Sequence, residues 1–385
     1  MLKILFILFV HFMMFSCMEK SKQDSKMELL EADSLFLLVG SYASAREKGI
    51  KLFTFDLETG EERYVTGLSG IANPSYLTVS SDHTRIYAVG ENEIDNSSAS
   101  ALALDLSAGK LSLLNTELTQ GAAPCYIALS PCEDFVLTAN YNGGNISIFR
   151  RDKDGKLQEP RIIGFIGNGL DPIRQDKPHL HCIGFTPDEK YMLAVDLGTD
   201  CIHVFPINKQ DKDGSVPFLD EDNPQNILLP PGYGPRHLCF SSDKNYLYLI
   251  TELSGDVVVF KYMDETLHIV QTVKADILGA QGSADIHISP DGNFLYASNR
   301  LEGDGIAIFS INKEDGTLEK VGYQSTGIHP RNFVISPDGS YLLVACRDSN
   351  EIQIFKRDKQ SGLLQHTGRN IELSKPTCLK FIQRK

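Results

Sequence analysis

The chain has 385 residues, of which 42% are hydrophobic, so it is long and apolar enough to bury a full globular core. With 31 glycines and 17 prolines it is neither collagen-like nor of low complexity. The formal net charge of −13 predicts repulsion from nucleic acids and from anionic membrane surfaces, so nucleic acid is not an expected partner.

The N-terminal segment has the pattern of an export signal. Residues 2–15 form one apolar run, with Lys3 near its start and Cys17 shortly after its end. The run is shorter than the roughly 20 residues of a membrane-spanning helix and fits a secretory signal. We predict a lipoprotein-type signal over residues 1–17, lipidation at Cys17, a flexible tether over residues 18–33 and a bacterial envelope location. The lipid is the only membrane contact expected; the alternative is a plain secretory signal with an incidental cysteine.

The remaining cysteines do not form a metal or disulfide pattern. Their number is odd, and no CxxC or Cys/His ligand spacing occurs. Most of them lie in apolar strand patterns, so we predict small buried residues and no metal or cofactor. They are Cys125, Cys132, Cys182, Cys201, Cys239, Cys346 and Cys378.

One pattern recurs along the rest of the chain: an alternating strand, a turn of the Ser-Pro-Asp-Gly type, and a second strand of β-branched and aromatic residues. Successive turns lie 47 to 56 residues apart. A period near 50 built from strands and tight turns is typical of a β-propeller with one four-stranded sheet per period. The turns begin at Ser80, Ser130, Thr186, Ser241, Ser289 and Ser336.

The number of blades follows from the outer hairpins, of which the sequence shows seven against six inner turns. The missing innermost strand is the last apolar run, Pro376–Phe381, and its partner is the first, Leu35–Gly40. Pairing them closes edges that would otherwise stay open. We therefore predict an all-β fold over residues 34–385: a seven-bladed β-propeller of four-stranded antiparallel blades, with a closing blade shared by both chain ends.

The propeller gathers polar residues at one rim of its channel. The start of the first strand and the end of the second strand of each blade meet there, although about 15 residues separate them in sequence. One channel-facing histidine or arginine is more often structural, but many together indicate a site. The long connections Glu159–Lys177 and Asn223–Gly234, with little β pattern, are expected to wall a binding funnel. The candidates are Asn140, His179, His181, Arg236, His237, Glu252, Asp285, His287, Arg300 and Arg331.

The rim residues suit an anionic small molecule. Arg236, Arg300 and Arg331 offer planar forks for a carboxylate or phosphate. His181 titrates near neutrality and can act as a general base toward water. Glu252 is predicted beside Arg236, where it orients that arginine or exchanges a proton. Because no GxSxG, HExxH or P-loop motif occurs, we predict base-assisted hydrolysis or ring closure of an activated ester, without metal or cofactor.

Four segments carry a resemblance to a known family: KPHLHCIGFTPDEKYMLAVDLGTDCIHVF, GYGPRHLCFSSDKNYLYLITELSGDVVVF, SADIHISPDGNFLYASNR and HPRNFVISPDGSYLLVACRDSNEIQIF. With them, residues 36–383 are similar to the lactonase family of seven-bladed propellers. That family includes propeller-type 6-phosphogluconolactonases and a fungal carboxymuconate-lactonizing enzyme. The resemblance implies a catalytic set of one histidine, two arginines and one glutamate, which falls on His181, Arg236, Arg300 and Glu252.

Two departures from the family pattern bear on the site. Either His179 or His181 fits the family's histidine motif. His181 is preferred because it directly precedes the apolar strand that ends at the turn beginning with Thr186. Thr251 stands where the family often has asparagine. The export signal is a further discord, since 6-phosphogluconolactone is a cytosolic intermediate, and it points to another sugar lactone.

The resemblance implies a lactonase that opens a sugar δ-lactone, either 6-phosphogluconolactone or a related aldonolactone. We expect the protein to be a monomer. His181 would activate water and Glu252 would assist proton transfer. Arg236 and Arg300 would stabilise the oxyanion and the anionic group of the substrate, and the other rim residues would bind it. Two alternatives stay open: a lyase that forms or opens a lactone of an unsaturated dicarboxylate, and a non-catalytic propeller that binds a protein or glycan at the envelope.

Overall fold

The computed structural model describes residues 35–209 and 216–383, which form seven four-stranded antiparallel sheets. The predicted signal, the lipidation site at Cys17 and the predicted tether lie outside the described residues. Within those two ranges, the single helical segment is a 3-10 turn at Ile94–Asn96. The all-β, seven-bladed architecture predicted from the sequence is confirmed.

The closing blade joins both ends of the described chain. It contains β1 (Leu35–Ser41), β2 (Ile50–Phe55), β3 (Glu62–Leu68) and β28 (Pro376–Gln383), in the order β28-β1-β2-β3. The innermost strand β28 pairs antiparallel with β1, and Leu37 lies opposite Phe381. The predicted pairing of the first and last apolar runs is therefore confirmed.

The other six blades each use four consecutive strands, which follow one another from the innermost position outward. The first has β4 (Leu77–Val79), β5 (Arg85–Gly90), β6 (Ser98–Asp105) and β7 (Lys110–Leu118), and the second β8 (Pro124–Leu129), β9 (Phe135–Asn140), β10 (Asn145–Arg150) and β11 (Arg161–Gly164). The third has β12 (Leu180–Phe185), β13 (Tyr191–Asp196), β14 (Cys201–Pro206) and β15 (Gln225–Leu228). The fourth has β16 (Pro235–Phe240), β17 (Tyr246–Thr251), β18 (Asp256–Met263) and β19 (Thr266–Lys274). The fifth has β20 (Ser283–Ile288), β21 (Phe294–Asn299), β22 (Gly305–Ile311) and β23 (Leu318–Ser325), and the sixth β24 (Pro330–Ile335), β25 (Tyr341–Cys346), β26 (Glu351–Arg357) and β27 (Leu364–Glu372).

The core lies between neighbouring blades, because each sheet packs its faces against the next one. The second strands are buried on both faces, as in β21 and β25, and they read as continuous apolar or small residues. The outermost strands alternate between half-buried and exposed residues, as in β23. A rigid ring of this kind holds the channel-lining strands in fixed positions.

The long connections each contain one short strand. Glu159–Lys177 contains β11 and Asn223–Gly234 contains β15, each the fourth strand of its blade. Both strands are four residues long, so little of either connection is strand, as the sequence predicted. The remainder of each connection crosses the rim of the channel.

The innermost strands of six blades carry a β-bulge just after their start. A bulge places one extra residue in the strand and re-aims its side chain, a device common beside active sites. Four of the residues at these bulges are charged or carry an imidazole, and all four belong to the predicted rim. They are His181 in β12, Arg236 in β16, Asp285 in β20 and Arg331 in β24.

Aromatic rings meet across the channel axis one residue below the bulges. Tyr76, just before β4, stacks on Tyr126 with 4.3 Å between ring centroids. Both rings also make edge contacts with His237 of β16, at 6.0 and 5.3 Å. Because Tyr76 and His237 belong to blades three positions apart in the ring, these side chains meet across the channel at this level.

Candidate active site

The centre of the site is the carboxylate of Glu252, which contacts three arginines. Its Oε2 lies 2.7 Å from Nε of Arg236 and 3.2 Å from Nη2 of Arg300. Its Oε1 lies 2.5 Å from Nη2 of Arg174. The β16–β17 hairpin brings Arg236 beside Glu252, as the sequence predicted, and Arg300 follows β21 of the next blade. Only 7% of Glu252 is exposed, so little water screens these pairs.

The arginines keep this carboxylate ionised. Burial alone would raise the pKa of Glu252, but the three arginines, Arg300 most strongly, outweigh burial and lower it to about 2. Burial lowers the pKa of Arg300 to about 9, although Glu252 opposes this shift. Since one carboxylate faces three guanidinium groups, the cluster retains a surplus of positive charge that attracts an anionic ligand.

Sequence analysis did not identify Arg174 as a site residue. It lies in the connection between β11 and β12, 78 residues before Glu252 in the chain. The only signal available was a charged residue in a long connection that feeds the rim. Its side chain is 32% exposed, whereas those of Arg236 and Arg300 are 1% and 6% exposed. Arg174 is therefore the solvent-facing member of the cluster.

His181 lies buried next to His237 and has an unpaired ring nitrogen. The residue is 4% exposed, and its Nδ1 has no hydrogen-bond partner among the described residues. The ring makes edge contacts with Tyr141 and His237, at centroid distances of 5.6 and 5.1 Å. Burial, and then the positive charge of Arg236, lowers the pKa of His181 well below its usual 6.5. The imidazole is therefore neutral at physiological pH and can accept a proton or a hydrogen bond.

The second histidine of the motif, His179, is held by the scaffold. Its Nδ1 lies 2.9 Å from the carbonyl oxygen of Tyr141, and its Nε2 lies 2.9 Å from Oδ1 of Asp176. Its ring also stacks on Tyr141, with 4.4 Å between centroids. Both ring nitrogens are thus occupied, and the geometry favours His181 as the functional histidine of the two.

Asp285 organises a buried network beneath the cluster. Its carboxylate lies 2.8 Å from Nδ1 of His237 and 3.0 Å from Nε2 of His287, and it accepts a hydrogen bond from the amide of Asn332. Burial lowers the pKa of His237 to about 4, so the ring is neutral. Its Nε2 lies 3.3 Å from Nη1 of Arg236. These contacts make the predicted substrate-binding residues His237, Asp285 and His287 a support under Arg236.

Arg331, in the blade that follows that of Arg300, contacts a second carboxylate. Its Nη2 is 3.7 Å from Oε1 of Glu91, and its guanidinium carbon lies 5.5 Å from the ring centroid of Tyr42. The hydroxyl of Tyr42 donates to Oε1 of Glu91 at 2.8 Å. The charge of Arg331 is among those that lower the pKa of His181. It therefore adds to the positive field around the funnel.

Asn140, predicted to bind substrate, has its side chain engaged within its own blade. Its Nδ2 donates to Oδ1 of Asn145 at 2.7 Å and to Oγ of Ser147 at 2.8 Å. The residue is fully buried at the end of β9. The structure thus places it in the scaffold and outside the Glu252 cluster.

The part of the chain that the structure describes offers no arrangement of three or more His, Cys, Asp or Glu side chains suited to a metal ion. Its seven cysteines are free thiols; five are buried, Cys239 is half-buried and Cys132 is exposed. Across residues 35–209 and 216–383, no helix has the length and apolar character to cross a bilayer.

The fold and the site together define the family. Residues 36–381 match the family model described as lactonase, 7-bladed β-propeller. The chain belongs to this family, and with it to the hydrolases that open lactones, a class of carboxylic-ester hydrolases.

Individual relatives extend over nearly the whole described fold. A 6-phosphogluconolactonase of Formosa agariphila is 36% identical, covering 90% of this chain and 99% of its own. The crystal structure of a candidate 6-phosphogluconolactonase of Bacteroides fragilis is 51% identical with a TM-score of 0.88, covering 91% and 98%. The periplasmic gluconolactonase of Pseudomonas aeruginosa is 31% identical with a TM-score of 0.83, covering 91% and 99%.

Proposed function

We propose that this lactonase hydrolyses a sugar δ-lactone, either 6-phosphogluconolactone or a related aldonolactone, to the open acid. The proposal rests on two features that occur together at the rim. Three arginines share the single carboxylate of Glu252, and His181 has a neutral imidazole with one unpartnered nitrogen. The names of the relatives, 6-phosphogluconolactonase and gluconolactonase, support a sugar lactone as the substrate.

The reaction needs a base for water and a positive site for the oxyanion. The neutral imidazole of His181 accepts a proton from a water molecule whose oxygen attacks the lactone carbonyl. In Arg236, Nε contacts Glu252 and Nη1 donates to the carbonyl oxygen of Ala284 at 2.6 Å, so Nη2 is the nitrogen assigned to the oxyanion. Such preorganised donors contribute about 3–4 kcal/mol to catalysis. When the ring C–O bond breaks, the imidazolium returns its proton to the leaving ring oxygen, which gives the hydroxy acid.

Glu252 has a positioning role in this scheme. With a pKa of about 2 it does not carry a proton near neutrality, which favours orientation of the arginines over proton exchange. It fixes Arg236 directly and Arg300 through the same oxygen. Arg300 is further held by Nε donating to the carbonyl oxygen of Gly282 at 2.7 Å. The carboxylate thus sets the direction of the guanidinium groups.

A panel of lactones tests the proposal. The purified protein is assayed with δ-gluconolactone, 6-phospho-δ-gluconolactone and muconate-derived lactones, each against a reaction without enzyme, because such lactones also open spontaneously. Hydrolysis of either sugar lactone above that baseline is the expected result. Turnover of muconate lactones alone would assign the lyase reaction instead, and no turnover of any lactone would favour a binding propeller.

We also propose that the protein is exported and lipid-anchored at Cys17. The apolar run over residues 2–15 supports export, as does the periplasmic location named for the Pseudomonas relative. Cells fed a radiolabelled fatty acid should incorporate label into the wild-type protein and not into the Cys17→Ala variant. Label of equal strength in both proteins, or a wholly cytosolic protein, would refute this assignment.

A further inference from the structure

The segment that carries Arg174, residues 165–178 between β11 and β12, which we call the strap, has a fixed turn. Oδ1 of Asp171 accepts the backbone N–H of Ile173 at 2.9 Å and that of Arg174 at 3.0 Å. The carbonyl oxygen of Asp171 accepts the N–H of Gln175 at 2.8 Å. Because these bonds fix the backbone on both sides of Arg174, the strap presents this side chain from a defined position.

A buried glutamine ties the strap to the third blade. Gln175 is fully buried, its Nε2 donates to the carbonyl oxygen of Leu197 at 2.9 Å, and its Oε1 accepts the N–H of Asp171 at 3.1 Å. A buried amide satisfied at both ends is costly to displace. The backbone of the strap is therefore fixed to the third blade, and the side chain of Arg174 extends from it to Glu252.

The two oxygens of Glu252 are held unequally. Oε2 contacts both buried arginines, Arg236 and Arg300, while Oε1 contacts Arg174. If Arg174 moves away, Glu252 keeps two buried ion pairs and remains compensated. An arginine that is 32% exposed also changes partner without the large desolvation cost that a buried one would incur.

We propose that Arg174 is a specificity-determining residue: it releases Oε1 of Glu252 and binds the anionic substituent of the lactone, remote from the carbonyl under attack. The inference rests on the lactone hydrolysis proposed above and names its substrate class, lactones with an ionised phosphate or carboxylate. A guanidinium fork fits either group with two parallel hydrogen bonds. The buried Arg236 and His181 are then left for the reacting carbonyl.

Arg347 provides a matched control at the same rim. Its side chain is 27% exposed, close to that of Arg174. Its Nε and Nη2 lie 2.7 and 2.8 Å from the two carboxylate oxygens of Asp348. Its charge is thus paired with a carboxylate other than Glu252. Its removal changes the net charge of the rim, including the charge that acts on Arg300, and leaves the three ion pairs of Glu252 in place.

The kinetic test compares a charged and a neutral lactone in four proteins: wild type, Arg174→Gln, Arg174→Lys and Arg347→Gln. The readout is the ratio of kcat/KM for 6-phospho-δ-gluconolactone to that for δ-gluconolactone. We expect Arg174→Gln to lower this ratio at least tenfold, mainly through KM of the charged lactone. The ratio for Arg174→Lys should lie between those of wild type and Arg174→Gln, because lysine keeps the charge but not the guanidinium fork. The ratio for Arg347→Gln should stay within twofold of wild type. An equal loss on both lactones, or an equal fall in Arg347→Gln, would overturn the proposal.

A binding measurement separates this inference from the proposed function. Calorimetric titration with 6-phosphogluconate and with gluconate needs no turnover. We expect wild type to bind the phosphorylated acid more tightly and Arg174→Gln to lose that preference. A wild type without preference overturns the role of Arg174 even if both lactones are hydrolysed. A preference that depends on Arg174 supports the role even if neither lactone is turned over, a result that would refute only the hydrolysis.

Discussion

Oε2 of Glu252 and Nε of Arg236 lie 2.7 Å apart, although 16 residues separate them in the chain. The β16–β17 hairpin returns the chain to the rim where it started, so an arginine on a bulge and a glutamate just after a strand end become neighbours. Two further arginines join them from other connections. The site therefore depends on one buried carboxylate that holds several cations.

Replacing His181 with alanine should lower lactone hydrolysis at least tenfold, because the ring nitrogen assigned to water is lost. The thermal midpoint should change little, since Nδ1 makes no hydrogen bond within the described residues. Steady-state rates, corrected for spontaneous opening, measure the effect. His268→Ala on the exposed face of β19 is the matched control and should behave as wild type. Full activity in His181→Ala would remove this histidine from the mechanism.

Replacing Glu252 with glutamine should lower both activity and stability. The substitution leaves Arg236 and Arg300 buried without a counter-charge, and breaking a buried ion pair costs about 3–5 kcal/mol. Urea unfolding at pH 7 measures the loss in free energy of unfolding. Glu265→Gln removes a surface pair with Lys190 and should leave the unfolding midpoint in place. A Glu252→Gln protein as stable as wild type would mean that water or buffer anions compensate the arginines.

The rate should not follow the titration of an ordinary histidine. Because burial and Arg236 hold the pKa of His181 well below 6.5, its neutral, active form persists below that pH. A plot of kcat/KM against pH should therefore be flat through pH 6.5 and fall only at lower pH. A clear inflection near 6.5 would show that the base is another group or that His181 is more solvated than its contacts indicate.

Stability should decline on mild acidification. His237 has its usual pKa of about 6.5 when unfolded and a pKa of about 4 when folded, so between these values the unfolded chain binds more protons. The contribution of this histidine to the free energy of unfolding is therefore greatest above pH 6.5 and decreases as the pH falls from 6.5 toward 4. Melting in steps from pH 7 to 5 measures the slope.

A variant identifies the source of that slope. His237→Gln should reduce the dependence of the melting temperature on pH, whatever its effect at pH 7, because the titrating ring is absent. His268→Gln should leave the dependence as in wild type, since His268 lies on the exposed face of β19. The same slope in all three proteins would assign it to other groups.

Removing Lys375–Lys385 should destabilise the ring severely. The deletion discards β28, whose side chains of Cys378, Leu379 and Ile382 are almost fully buried, at about 1.5–3 kcal/mol for each large apolar side chain. Thermal melting and limited proteolysis report the loss. Deletion of residues 18–27 in the predicted tether is the control and should leave the melting temperature in place. A C-terminal truncation as stable as the full chain would contradict closure by β28.

The fold was predictable because its signals are local. In five of the six inner turns a serine or threonine and an aspartate build the turn, and the turn at Ser130 has Cys132 in place of the aspartate. Oγ of Ser289, for example, donates to Oδ1 of Asp291 at 2.7 Å and accepts the N–H of Phe294 at 3.0 Å. Such turn chemistry is visible in a few consecutive letters. The closing blade followed by counting the strands that lacked a partner.

The site was predictable only where the hairpin itself defines the contact. The pairing of Arg236 with Glu252 follows from strand geometry, but the approach of Arg174 depends on how a long connection folds over the rim. The choice between His179 and His181 needed side-chain hydrogen bonds, because both residues share one strand end and one composition. Contacts between a loop and a distant part of the chain produce no repeating hydrophobic pattern, so they cannot be recognised in a single sequence.

Tyr76, Tyr126 and His237 meet across the axis and narrow the channel. Arg174 is the most exposed of the three arginines on Glu252, so it is the one that a ligand from solvent can reach first. Opening a lactone yields a carboxylate, and the surplus of positive charge attracts this product as well as an anionic substrate. We therefore expect the acid to compete with the lactone for the site, so that hydrolysis slows as product accumulates.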